Sequence, residues 1–186
     1  MSLMSSQMSG AKKRIYMDHA AACPIDEKVL QAMTPFFVDS FGNPSSLHMA
    51  GRAPRKALEE ARQKVANLIN AKRKEEIIFT SGATEASNIG IKGVALRMKG
   101  EGNHVITSAI EHISILNIMK YLEKNGFEVT YIPPTTDGFV DPAKIEQAIR
   151  KETVLVSIMY ANNEIGTLQP IDEIGKVLEQ KDIYFH

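Results

Sequence analysis

The chain has few of the features that mark secreted, metal-binding or membrane proteins. Its single cysteine, Cys23, cannot form an internal disulfide, which excludes a disulfide-stapled secreted scaffold. It has no Cys/His cluster with zinc spacing, so we expect no metal site, and no run of about 18 apolar residues that could span a bilayer. Lys plus Arg and Asp plus Glu both number 22, so nothing in the net charge favours nucleic acid or a membrane surface as a partner. The expected location is the cytoplasm, or the mitochondrial matrix in a eukaryote.

What the chain does contain is the composition of an ordinary globular protein. Hydrophobic residues make up 44% and charged residues 24% of its 186 residues, a length that allows one domain with a sizeable core. The Ser- and Met-rich start has no apolar stretch like that of a signal peptide. We therefore expect residues 1–14 to be a disordered leader or a cloning remnant, and residues 15–186 to fold.

Short β-rich runs alternate with amphipathic stretches in the second half of the sequence, a pattern that predicts an α/β fold with a mostly parallel sheet. The predicted strands are residues 77–80, 104–108, 128–132, 153–159 and 183–186. The predicted helices are residues 26–37, 51–70, 84–98, 114–124, 141–149 and 171–180. Asp141 followed by Pro142 is typical of a helix start, and Asn125 followed by Gly126 of a helix end.

Ligands bind beyond the carboxyl ends of the strands in open parallel sheets, and three polar segments follow predicted strands. The first is residues 80–85, Thr-Ser-Gly-Ala-Thr-Glu. Gly82 would let the backbone turn tightly, and the amides of the following helix start, with the Thr84 hydroxyl, would form an anion site. The alternative is an ordinary helix start capped by Thr84 or Ser81.

The other two segments supply a histidine and a pair of amides. His112, with Glu111 before it, could lie against a planar ring or move protons near neutral pH, or it could be a solvated loop residue. Asn162 and Asn163 could orient a ring oxygen or a carboxylate, or they could form an Asx-turn that closes the strand.

Five segments, in order, resemble the cysteine desulfurases, which are class V relatives within the aspartate-aminotransferase fold. They are Tyr16-Met-Asp18-His-Ala-Ala, Phe41-Gly-Asn-Pro-Ser-Ser46, Phe79-Thr-Ser-Gly-Ala-Thr-Glu85, Glu111-His112 and Asn162-Asn-Glu-Ile-Gly166. The resemblance runs from residue 15 to residue 186. It implies an incomplete large domain of the transferase fold that depends on pyridoxal 5'-phosphate (PLP).

The resemblance also implies roles for individual residues. Ala83 and Thr84 would bind the cofactor phosphate, and His112 would stack on the pyridine ring and take part in proton transfers. Asn163 would contact the phenolic oxygen side of the ring, and Asn43 would lie near the substrate carboxylate. The implied reaction converts L-cysteine to L-alanine and passes sulfur to an enzyme persulfide, for iron–sulfur cluster or other sulfur biosynthesis. The implied partners are a second copy of the chain and sulfur-acceptor or scaffold proteins.

The sequence lacks three residues that the chemistry of the family requires. In the family, the aspartate that pairs with the pyridinium nitrogen, the Schiff-base lysine and the sulfur-accepting cysteine all follow the position that corresponds to His186. We therefore expect a truncated cofactor-binding portion that retains the cofactor weakly. Cys23 has no neighbouring basic group to activate it and is not expected to be the nucleophile. His104 is expected at the surface, and Lys92 and Lys120 as solvated charges.

Two alternatives remain open at this level. The segment that decides sulfur chemistry is absent, so a selenocysteine lyase or another class V enzyme would give the same motifs. The absent lysine also allows a catalytically inactive product that acts only as a binding or dimerisation module.

Overall fold

The computed structural model describes residues 14–186, which fall into two compact units that divide between Ala61 and Arg62. The leader expected at residues 1–14 lies outside the described residues except for Arg14, and that expectation stays a prediction. Within residues 14–186, no helix combines the length and apolar character needed to cross a membrane.

The first unit contains one of the two helices expected before residue 77 and most of the other. Helix α1 spans Glu27–Val38, and the Asp26 side chain caps it by accepting a bond from the Lys28 amide at 2.8 Å. Helix α2 spans Met49–Leu68, so it crosses the boundary between the units. The loop between the helices is tight, since a Cβ on Gly42 would clash with the Ala50 carbonyl oxygen.

The second unit is built on a four-stranded sheet in the order β2-β1-β3-β4, and every pair is parallel. The strands are β1 His104–Ser108, β2 Glu128–Ile132, β3 Thr153–Ser157 and β4 Tyr184–Phe185. The helices are α3 Ala83–Ser87, α4 Gly93–Arg97, α5 Ile113–Lys124, α6 Pro142–Ala148 and α7 Ile171–Leu178. A π-helical turn, Asn88–Lys92, joins α3 to α4, so residues 83–97 form one continuous helical stretch. The prediction of an α/β fold with a parallel sheet and flanking helices is confirmed.

The helix signals in the sequence act as expected. The Asp141 carboxylate accepts a bond from the Ala143 amide at 2.9 Å and caps α6. Asn125 ends α5, and Gly126 follows in the left-handed region at φ 86°, where a side chain would be strained.

The core has two parts, one on each face of the sheet, because alternate residues of a strand point to opposite faces. Val105 packs with α4 and α5 on one face, and Ile106 packs with α6 and α7 on the other. Burial of each such Ile or Leu side chain contributes about 1.5–3 kcal/mol relative to leaving it exposed. The result is a three-layer arrangement that fixes where each strand ends.

The predicted strand at residues 77–80 is wrong for this structure. The segment is extended but pairs with no strand among the described residues, so Ile78 is 68% and Phe79 is 45% exposed. The Arg62 guanidinium donates to the Ile77 carbonyl oxygen, which replaces one ladder bond with a side-chain contact. This β-rich run therefore has no neighbour among residues 14–186 with which to form a strand.

The prediction that His104 lies at the surface is also wrong. His104 is fully buried, with its Nδ1 at 2.7 Å from the Thr153 Oγ1 and its Nε2 at 2.8 Å from the Thr130 Oγ1. Burial, with a smaller effect from the Arg150 charge, lowers the pKa of His104 to about 4. The neutral ring therefore links β1 to both neighbouring strands.

Candidate functional site

The candidate site lies at the edge of the sheet where β1 and β3 end. The two strands are parallel neighbours, and their last paired residues are Thr107 and Ser157. Because the carboxyl ends of parallel strands meet at one edge, the turns at residues 109–112 and 158–166 emerge side by side there. The predicted residues His112 and Asn163 are carried by these two turns.

The helical stretch 83–97 brings the third segment to the same edge. Its far end meets the far end of α5, because the Lys99 ammonium donates to the Asn125 carbonyl oxygen at 2.8 Å. Midway, the Lys92 ammonium lies 4.0 Å from the centre of the Tyr121 ring, so Lys92 is not the purely solvated charge that was expected. Contacts between α3 and α5 complete the side-by-side packing. The two helical stretches therefore run in the same direction, and Ala83 begins one near the start of the other.

The start of this helical stretch is open to an anion. Gly82 is the N-cap residue and no side chain caps the helix, so the expected alternative of a cap by Thr84 or Ser81 is wrong. The Ser81 amide and hydroxyl instead donate to the Glu85 Oε2, each at 2.7 Å, and these bonds lower the pKa of the Glu85 carboxyl. The chain does bend at Ser81 and Gly82, but the Gly82 φ of 165° is extended backbone that any residue can adopt. Thr84 is exposed beside the uncapped amides.

His112 caps α5, the helix that follows β1. Its Nδ1 accepts a bond from the Ser114 amide at 3.2 Å and lies 2.7 Å from the Ser114 Oγ. An Nδ1 that accepts from a backbone amide carries no proton, so the neutral ring carries its proton on Nε2. The ring is therefore held at the edge of the sheet while the side chain remains exposed.

Of the two asparagines after β3, Asn162 forms the Asx-turn that the sequence left open, and the ligand-orienting role of Asn163 stays a prediction. The buried Asn162 forms the turn, because its Oδ1 accepts from the Glu164 amide at 2.9 Å and from the Ile165 amide at 3.1 Å. Its Nδ2 donates across to the Ile110 carbonyl oxygen at 3.0 Å. Asn163 is exposed and donates only locally, to the Glu164 Oε1 at 3.0 Å. Asn162 is thus structural, and the Asn163 amide faces solvent.

Glu111 is a residue of the site that sequence reasoning missed. The carboxylate is buried, and its Oε1 accepts from the Met159 amide at 2.7 Å and from the Ser108 hydroxyl at 3.0 Å. Burial raises the pKa of Glu111, while the two hydrogen bonds oppose that effect. The local sequence does not indicate that Glu111 is buried, because its hydrogen-bond partners, Ser108 and Met159, lie at the ends of two different strands.

Asn43 belongs to the first unit, in the loop between α1 and α2. Its Oδ1 accepts from the Ser45 amide at 2.8 Å and so shapes the Asn-Pro-Ser-Ser turn. The role expected for Asn43 at a substrate carboxylate stays a prediction. Cys23 is exposed in the same unit, and its thiol donates to the His19 carbonyl oxygen at 3.1 Å. Residues 14–186 contain no group of three His, Cys, Asp or Glu side chains that could hold a metal ion.

The chain is similar to known proteins over nearly its whole length. Residues 15–186 match the family model described as aminotransferase class V. The chain is 53% identical to the cysteine desulfurase IscS of Dictyoglomus turgidum, over 94% of this chain and 44% of that protein. It is 50% identical to the putative cysteine desulfurase IscS 1 of Bacillus subtilis, over 94% of this chain and 46% of that protein.

Solved structures give the same result for the fold. A structure described as SspA in complex with cysteine has a TM-score of 0.87 and 43% identity, over 92% of this chain and 49% of that one. A structure described as a NifS-like protein has a TM-score of 0.90 and 38% identity, over 94% of this chain and 48% of that one. The chain thus spans somewhat less than half the length of these relatives.

Proposed function

The chain belongs to the class V aminotransferase family, and from this premise we propose that it forms the cofactor-binding part of a PLP-dependent cysteine desulfurase. The observation that supports the proposal is that the turns carrying His112 and Asn163 lie side by side where β1 and β3 end, with α3 packed against α5. The 53% identity to a cysteine desulfurase supports the choice of L-cysteine over other amino-acid substrates.

The uncapped start of α3 fits the phosphate group of the cofactor. The Gly82 backbone is extended and space is open where a side chain would lie, so a phosphate can approach the amides that follow. The positive end of the helical stretch attracts an anion, and the Ala83 amide and the Thr84 hydroxyl can donate to it. The donor set therefore matches a phosphate better than a neutral ligand.

His112 and Asn163 fit the ring of the cofactor. The His112 imidazole is fixed through its Nδ1, so the flat face of the ring can stack on a pyridine and its Nε2 can exchange a proton with substrate. The Asn163 amide group can donate to the phenolic oxygen side of the ring. When bound, PLP would supply the electron sink for charge that develops on the substrate Cα as the C–S bond breaks, and the chain would supply orientation and proton transfer.

Asn43 is proposed to contact the carboxylate of L-cysteine, through an Asn-containing turn held by the Ser45 amide. The products would be L-alanine and a persulfide on a cysteine thiol of the complete enzyme, formed as the C–S bond breaks and sulfur passes to the thiolate. We further propose a homodimer, as well as sulfur-acceptor or scaffold proteins as partners. Light scattering of the purified protein would test the dimer.

The test of the proposed activity is alanine release from L-cysteine by the protein in the full length that its gene encodes. Amino-acid analysis should detect PLP-dependent alanine formation, and His112→Ala should remove most of it. Turnover of L-selenocysteine but not L-cysteine would contradict the proposal, as would alanine formation that does not depend on added PLP in the apoprotein.

A further inference from the structure

A buried carboxylate joins the two turns of the site beyond the point where the strands stop pairing. Glu111 is only 7% exposed, and its Oε1 accepts from the Met159 amide at 2.7 Å and from the Ser108 hydroxyl at 3.0 Å. The last paired residues of β1 and β3 are Thr107 and Ser157. Glu111 therefore hydrogen-bonds the segment after β1 to the segment after β3, beyond the last paired residues of the two strands.

A second bond closes the same junction from the opposite direction. The Asn162 Nδ2 donates to the Ile110 carbonyl oxygen at 3.0 Å, so each turn reaches across to the other. The Asn162 Oδ1 in turn fixes the backbone of Glu164 and Ile165. Between them, the bonds of Glu111 and Asn162 fix both ends of the Met159–Asn162 backbone that leads to Asn163.

We propose that Glu111 is a positioning residue for the cofactor site: its buried carboxylate locks the turn that carries His112 to the turn that carries Asn163. This inference rests on the function proposed above. Glu111 acts through the backbone, because it immediately precedes His112 and accepts from the amide at the start of the Asn163 turn. A misplacement of about 1 Å between groups that must meet one ring is enough to lower binding and turnover strongly.

The role depends on the acceptor oxygen more than on the negative charge. Burial raises the pKa of Glu111, so the surroundings disfavour the charged form. Glutamine keeps an acceptor oxygen at the same reach, whereas alanine removes it and aspartate is shorter by one methylene. The three substitutions at Glu111 thus separate the effect of the position of the acceptor oxygen from the effect of the negative charge.

The experiment compares hydrogen–deuterium exchange and PLP affinity in the full-length apoprotein and its variants. In Glu111→Ala, exchange of the 108–116 and 158–168 segments should be about tenfold faster, because the half-buried Met159 amide loses its acceptor. The Kd for PLP, measured by absorbance titration, should rise by about the same factor, because the loosened turns must become ordered again when PLP binds. Glu111→Gln should stay within about twofold of the wild type on both measures, and Glu111→Asp should resemble the alanine variant.

Thr107→Val is the matched control. It removes a buried bond between the same two strands, from the Thr107 hydroxyl to the Ser157 carbonyl oxygen at 2.9 Å, and the Thr107 side chain has no hydrogen bond to either turn. Its exchange at residues 158–168 should match the wild type. The inference is overturned if Thr107→Val loosens the two turns as much as Glu111→Ala, or if Glu111→Asp resembles the wild type while Glu111→Gln does not. A wild-type protein that fails to bind PLP would overturn the proposed function instead, and the exchange data would still report on the lock between the turns.

Discussion

The neutral state of buried His104 predicts a specific loss of stability in acid. The ring lies between the hydroxyl groups of Thr153 and Thr130, on strands that flank its own. Three charged side chains act on it from nearby positions: Arg150 disfavours the protonated ring, while Glu128 and Glu152 favour it. Burial outweighs the rest, and the pKa of His104 falls from 6.5 to about 4.

The sign of the effect follows from which state binds more protons. Between pH 6.5 and about 4 the unfolded chain protonates this histidine while the folded chain does not, so acid stabilises the unfolded state. From these two pKa values, lowering the pH from about 7 to about 5 removes about 2 kcal/mol of unfolding free energy through this one group. Above pH 7 the group has almost no effect.

The assay is urea unfolding at pH 7 and pH 5 for the wild type and for His104→Gln. Glu111 and His186 also titrate abnormally, with burial raising the pKa of Glu111 and lowering that of His186, so the wild-type curve alone mixes three groups. Both residues are retained in the variant, and the difference between the two proteins isolates His104. The wild type should lose about 2 kcal/mol more than His104→Gln on acidification. Equal losses within about 0.5 kcal/mol would refute the neutral, buried histidine.

Three further predictions concern the edge of the sheet where β1 and β3 end. Replacing Thr84 with Ala should weaken PLP binding about tenfold, because one charge-assisted hydrogen bond is lost, whereas Thr84→Ser keeps the hydroxyl and should bind PLP like the wild type. Absorbance titration measures the PLP affinity of each variant, and equal affinities for Thr84→Ala and the wild type would argue against a phosphate contact. His112→Ala should lower alanine formation from L-cysteine by about 10²–10⁴ at saturating PLP, and an unchanged kcat would exclude it from proton transfer. Asn162→Ala should lower the unfolding free energy by about 1–3 kcal/mol, because the bonds of the buried Asn162 side chain to the Glu164 and Ile165 amides are lost. Asn163→Ala should leave stability unchanged and affect only PLP affinity. Thermal melts of the two apoproteins would separate these roles, and equal melting temperatures would contradict them.

Much of the second unit could be predicted from sequence because its two central strands, β1 and β3, are buried throughout and rich in Val, Ile, Leu and Thr. Val105 and Ile106 are both buried, one on each face, so β1 has no alternation and is typical of a central parallel strand. The start of α6 at Asp141 and the end of α5 before Gly126 could also be predicted, because a capping side chain and a left-handed residue depend only on the neighbouring backbone.

The errors arose where structure depends on distant partners. Residues 77–80 have the composition of a strand, but a strand also needs a neighbour with which to pair, and local sequence does not specify one. His104 begins a strand, a position that is often exposed, but the hydroxyl groups of Thr130 and Thr153 enclose it from both sides. Glu111 was missed as a site residue for the same reason, because its partner at Met159 lies 48 positions away.

The most direct test of the cofactor site is the footprint of PLP on the full-length apoprotein, measured by hydrogen–deuterium exchange. Protection should appear together in three separate segments, at residues 81–86, 109–114 and 160–166, and should saturate at one PLP concentration. Protection confined to other parts of the chain, or binding of PLP without protection of these three segments, would contradict this prediction.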